Sequence, residues 1–103
     1  MKIAILGLGY VGLTAAGCLL KEGHFILGIE PNEDKLALIK DGRSPIYEPG
    51  LNDLLLLGVQ EGRLETSLSV DGRLGHCDIV MVCVGTPKLS GGGTLLGPSA
   101  LRD

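Results

Sequence analysis

Three glycines at close spacing, one acidic residue beyond them and a threonine after an apolar run are the features of this 103-residue chain suited to chemistry. Gly7-Leu8-Gly9-Tyr10-Val11-Gly12 follows the apolar run Ile3-Ala4-Ile5-Leu6 and precedes a segment of helical periodicity. A strand that breaks into such a turn and restarts as a helix suits the pyrophosphate of a dinucleotide. Gly7 permits the tight turn, Gly9 lets phosphate approach the backbone, and Gly12 lets the helix pack close to the strand. The first amides of that helix face the anion, and the helix dipole favours negative charge there. Glu30 follows about 20 residues later, where a carboxylate can accept the ribose hydroxyls and repel a 2′-phosphate. This favours NAD over NADP; the plainer alternative for Glu30 is a solvated acid at a strand end.

Two further positions fall on the same side of the expected sheet. Lys35, one turn into the next helix, is within reach of the adenosine side of a cofactor, or is simply a solvated charge. Gly85 and Thr86 follow a second apolar run, at the carboxyl edge where open α/β sheets bind ligands, with Pro87 stiffening the turn. Ordinary turn chemistry is the competing reading there. His24 and His76 fall at the opposite edge and read as structural. Cys18, Cys77 and Cys83 form an odd set without paired metal-ligand spacing, and their apolar neighbours suggest buried, reduced thiols. No metal site is expected.

These residues need elements to hold them. Ile3–Leu6 reads as a strand buried on both faces of a parallel sheet. A helix is expected over about 10–22, ended by Gly23, then a strand over Phe25–Glu30 in which Gly28 admits a close approach of backbone or ligand. Asn32 is a plausible N-cap for a helix that Gly42 stops. Residues 44–50 cannot be regular, because Pro45 and Pro49 flank their centre. A third helix over 51–60, a short strand over 64–67 and a buried central strand over 79–84 complete the pattern. Residues 69–75 are poorly specified, and 88–98 read as a flexible glycine-rich segment. The alternation predicts an α/β fold: the N-terminal half of a Rossmann-like, doubly wound parallel sheet in the order 3-2-1-4, with 1–103 as one truncated NAD(P)-binding domain.

Composition narrows the function. Nine basic against twelve acidic residues give a net charge of −3, and only 3% of residues are aromatic. No basic stripe or stacking surface suits nucleic acid. No run approaches the roughly 18 apolar residues of a membrane span, and the amino terminus carries no signal-peptide core. A cytoplasmic protein is expected. The outer edge of the 79–84 strand, left bare, would favour self-association.

Four segments in order, Gly7–Gly12, Gly42-Arg43-Ser44-Pro45-Ile46-Tyr47-Glu48-Pro49-Gly50-Leu51, Glu61-Gly62-Arg63-Leu64 and Cys83-Val84-Gly85-Thr86-Pro87, carry a family likeness. Together they resemble the NAD-binding domain of the UDP-glucose/GDP-mannose dehydrogenase family, with Ala16-Gly17-Cys18-Leu19 nearer the GDP-mannose branch. The likeness extends over essentially the whole chain. It implies an oxidoreductase of polysaccharide biosynthesis that oxidises the C6 alcohol of a nucleotide sugar to the uronate, with two NAD per sugar. It also implies that Tyr10, Val11, Glu30, Lys35 and Thr86 line the cofactor. The family usually carries Asp where this chain has Glu30. Its catalytic cysteine and sugar-nucleotide domain correspond to positions beyond 103, so no residue here is assigned a catalytic role. These residues alone are expected to be inactive. The alternatives are a non-enzymatic nucleotide-binding remnant or another Rossmann NAD dehydrogenase.

Overall fold

The computed structural model describes residues 1–83, and the expectations placed on Val84, Gly85, Thr86, Pro87 and the segment 88–98 lie outside that range. The elements run β1 (Lys2–Leu6), α1 (Tyr10–Lys21), β2 (Phe25–Ile29), α2 (Glu33–Lys40), α3 (Leu51–Gln60), β3 (Leu64–Ser67) and β4 (Ile79–Val82). A single 3-10 turn, Arg73–His76, occupies the crossover that the sequence left unspecified. Gly72 and Gly75 leave that stretch without the periodicity that would announce a helix.

The four strands form one sheet in the order β3-β2-β1-β4. All three pairings are parallel, with Ile3 opposite Ile26 and Ile79, and Ile26 opposite Leu64. This is the expected 3-2-1-4 arrangement. Parallel strands need crossovers, and those crossovers cover the faces, which is why β1 and β2 are apolar on both sides. On one face Ile3, Ile5 and Ile26 pack with Leu13, Ala16 and Leu20 of α1, Ile39 of α2 and Leu51 and Leu55 of α3. On the other, Ala4, Leu27 and Ile29 meet Leu6, Leu74 and Cys77. Burying a side chain of this size contributes about 1.5–3 kcal/mol.

Three expectations are corrected. β4, expected to be buried, has Ile79, Val80 and Val82 exposed, whereas its terminal place in the 3-2-1-4 order, with a bare outer edge among the described residues, is as expected. Cys18 is free but exposed, while Cys77 and Cys83 are half-buried. The helical phase explains Cys18, since Leu13, Ala16, Gly17 and Leu20 form the inward stripe and position 18 falls outside it. Gly28 does not face a ligand: a Cβ there would lie 2.7 Å from Cδ1 of Leu8, so the glycine makes room for that side chain.

Candidate functional site

The glycine turn is tied to the ends of β1 and β2. Gly7 has φ of 97°, a conformation that side chains resist, and its N–H donates to the Ile29 carbonyl at 2.8 Å. Leu8 then turns its side chain into the core over Gly28, where it is 1% exposed. Gly12 sits so close to the turn that a Cβ would lie 1.9 Å from the Gly7 oxygen. Gly9 differs, because a Cβ there would meet nothing within 4 Å. The first and third glycines thus serve the turn and the packing, and the second borders open space.

The start of α1 is bare, and so is that of α3 apart from Asp53 in its first turn. Gly9 is its N-cap, no side chain caps the helix and no acidic residue stands in its first turn. By contrast, α2 is capped by the Asn32 side chain, which accepts the Lys35 N–H, and carries Glu33 and Asp34 in its first turn. Uncapped amides at a positive helix end beside open space are what an anion requires. The residues present therefore fit a dinucleotide pyrophosphate. A negative side chain in the first turn of α1 would oppose it.

Glu30 directly follows β2 and is 6% exposed. Its Oε1 accepts the Leu8 N–H at 2.8 Å and its Oε2 accepts the Asn32 N–H at 3.0 Å. A carboxylate offers about four acceptor sites, so capacity remains for hydroxyl donors. Glu30 is thus both a candidate ribose reader and a brace between the glycine turn and the start of α2. A strand-end acid free in solvent does not describe it. Lys35 is half-buried on α2, and its side chain forms no ion pair among the described residues.

Tyr10 and Val11, the first residues of α1, are exposed beside the turn. The Tyr10 hydroxyl donates to Oε1 of Glu48 at 2.8 Å. That bond, then the Glu48 charge and slight burial, raises the Tyr10 phenol above its ordinary value of 10.0. Glu48 is a site residue that sequence reasoning gave no role. It stands between Pro45 and Pro49, but no local pattern reveals a contact across 38 positions. Ile46, Tyr47, Glu48, Pro49 and Gly50 line an open depression of about 260 Å³ with Asn52 and Asp53 at the start of α3. Among the described residues no cluster of His, Cys, Asp or Glu could hold a metal, and no helix is long and apolar enough to cross a membrane.

Comparison with known proteins agrees with this geometry. Residues 1–96 match the sequence model of the UDP-glucose/GDP-mannose dehydrogenase family, NAD binding domain. The GDP-mannose 6-dehydrogenase of Azotobacter vinelandii is 47% identical over 92 residues, covering 88% of this chain and 21% of that protein. The UDP-glucose 6-dehydrogenase of Rhizobium meliloti is 38% identical over 93 residues, covering 90% of this chain and 21% of that protein. Among solved structures, a ternary complex of GDP-mannose dehydrogenase from Pseudomonas aeruginosa superposes with a TM-score of 0.86 at 44% identity, over 95% of this chain and 22% of that one. The chain therefore spans about a fifth of the length of the relatives it matches.

Proposed function

The chain belongs to the UDP-glucose/GDP-mannose dehydrogenase family, and from that membership we propose that Gly7, Gly9, Tyr10, Val11, Gly12, Glu30 and Lys35 hold NAD for the oxidation of a nucleotide sugar at C6. When bound, NAD supplies the hydride acceptor for an oxidation from alcohol to carboxylate, two NAD per sugar. The protein residues do the holding. The bare amides at the start of α1 bind the pyrophosphate, and Gly9 leaves it room. Glu30 orients the adenosine ribose and rejects a 2′-phosphate, and Lys35 lies on the adenosine side. Gly85 and Thr86, which follow β4 in the sequence, are assigned to the same cofactor by the family likeness alone. The observation that carries this reading is the uncapped, acid-free start of α1 beside the open space at Gly9.

GDP-mannose is favoured over UDP-glucose as the substrate of the parent reaction. Relatives named for GDP-mannose reach 47% identity, against 38% for those named for UDP-glucose. A polypeptide of these 103 residues alone provides the cofactor's half of the reaction and turns over no sugar.

Calorimetric titration tests the assignment. NAD is expected to bind the 103-residue polypeptide more tightly than NADP. Absence of NAD binding, or equal affinity for the two, would overturn it. NADH formation from GDP-mannose or UDP-glucose by the same polypeptide would overturn its inactivity.

A further inference from the structure

We propose that Glu48 is a positioning residue of the cofactor site, one that fixes the Tyr10 ring at the mouth of the glycine turn before ligand arrives. The proposal rests on the reading of that turn as an NAD site. Tyr10 is the first residue of α1, directly after Gly9, and it is 58% exposed. An exposed tyrosine with no hydrogen bond would exchange between rotamers. Its hydroxyl is instead held by Glu48 at 2.8 Å.

The support beneath Glu48 is rigid, which gives the contact consequence. Ser44 donates its N–H to the Asn52 side chain, and its Oγ donates to the Ile46 carbonyl and accepts the Ile46 N–H. The Ile46 side chain packs against the core shared by the sheet and helices. Pro45 and Pro49 restrict φ on either side. The Glu48 carbonyl accepts the Leu51 N–H at 3.1 Å, joining the segment to the first turn of α3. The 44–50 segment, which lies in the α2–α3 connection, thus reaches the glycine turn, and Glu48 is its contact.

Charge alone does not account for an acid at this place. A carboxylate beside a pyrophosphate site repels the ligand, so any benefit from Glu48 must pass through Tyr10. With its O–H directed at Glu48, the Tyr10 oxygen has only acceptor capacity left for a ligand. It can receive a ribose hydroxyl but has no proton to give a phosphate. Ordering the ring in advance removes part of the entropy cost of binding.

A double-mutant cycle on the full 103-residue chain tests this, with folding checked by circular dichroism. Glu48→Ala and Tyr10→Phe are each expected to weaken NAD binding by about fivefold, and the double variant to bind no more weakly than either. Glu48→Gln, which keeps an acceptor oxygen, is expected to recover most of the loss. In a Tyr47→Phe background, the absorbance titration of Tyr10 should lie above pH 10.0 and move down toward it in both Glu48 variants. That optical change reports the Tyr10–Glu48 bond itself, and the coupled losses of NAD affinity report what the bond does for binding. Additive losses, a Glu48→Gln variant as weak as Glu48→Ala, or a Tyr10 titration indifferent to Glu48 would each overturn the proposal. A wild-type chain that binds no NAD while its Tyr10 titration still follows Glu48 would overturn the cofactor reading and the positioning role with it, leaving only the bond.

Discussion

The Glu30 carboxylate and the Leu8 backbone are joined by a buried 2.8 Å hydrogen bond that spans 22 positions of the chain. One residue therefore braces the glycine turn and, in the proposed site, also reads the ribose. The second carboxylate oxygen takes the Asn32 N–H, which places the start of α2 relative to the same turn. An acid with only a reading role would need neither bond. The glutamate side chain is long enough for one carboxylate to reach both N–H groups.

Glu30→Ala is therefore expected to harm folding and binding together. It leaves the buried Leu8 N–H without its acceptor, which costs about 1–3 kcal/mol. Urea unfolding should show the loss in the absence of any cofactor. NAD affinity should fall as well, and preference over NADP should narrow because the repelling charge is gone. Unfolding unchanged from the wild type would show that the bond to Leu8 contributes nothing.

Arg63 explains the Glu61-Gly62-Arg63-Leu64 motif through structure rather than chemistry. Its guanidinium donates to the carbonyls of Leu20 at 3.0 Å and His24 at 2.8 Å, and it pairs with Glu61 at 2.7 Å. The side chain is only 13% exposed. It thus closes the carboxyl end of α1, where a positive charge also suits the helix dipole. Arg63→Ala should lower stability by about 1–3 kcal/mol in urea unfolding, because two carbonyls lose a charged donor. Arg63→Lys should recover only part of that, since an ammonium lacks the planar fork. A lysine variant with full stability would contradict the forked geometry.

The parts legible in the sequence were those set by neighbours along the chain. The glycine turn, the Asn32 cap and the α3 span depend on local residues, and the structure places them as expected. What escaped was set by contacts between distant segments. Gly28 is occupied by Leu8, and Glu48 meets Tyr10 across the fold, and no periodicity encodes either. The burial of β4 misled for another reason. A continuous apolar run implies burial on two faces, but a run does not say what covers those faces.

The β4 edge has a consequence in solution. β4 pairs with β1 on one side and with no described strand on the other. Val80 and Val82 share a face with Ala4 and Leu6, yet Val82 is 67% exposed. Unpaired apolar edges invite pairing with a second chain. Light scattering of the 103-residue polypeptide should show dimers or larger species as concentration rises. Val82→Lys should shift the population toward monomer by placing a charge on that strand. A monodisperse monomer at high concentration would refute the expectation.

Gly9 and Gly12 offer the sharpest separation of site from scaffold, because the same added methyl meets opposite surroundings. At Gly12 the Cβ would lie 1.9 Å from the Gly7 oxygen, so α1 must move away from the turn. Gly12→Ala should therefore cost stability and NAD binding alike, at about 1–3 kcal/mol for a forced backbone shift. At Gly9 the backbone has φ of −81°, which alanine adopts freely, and no atom lies within 4 Å of the added Cβ. Gly9→Ala should unfold within about 0.5 kcal/mol of the wild type, as surface substitutions usually do. Its methyl would nevertheless fill the space assigned to the pyrophosphate, and NAD affinity should fall by about tenfold or more, equivalent to about 1.4 kcal/mol. Calorimetry beside urea unfolding reads both quantities on the same samples. A Gly9→Ala variant that kept full NAD affinity would place the phosphates elsewhere.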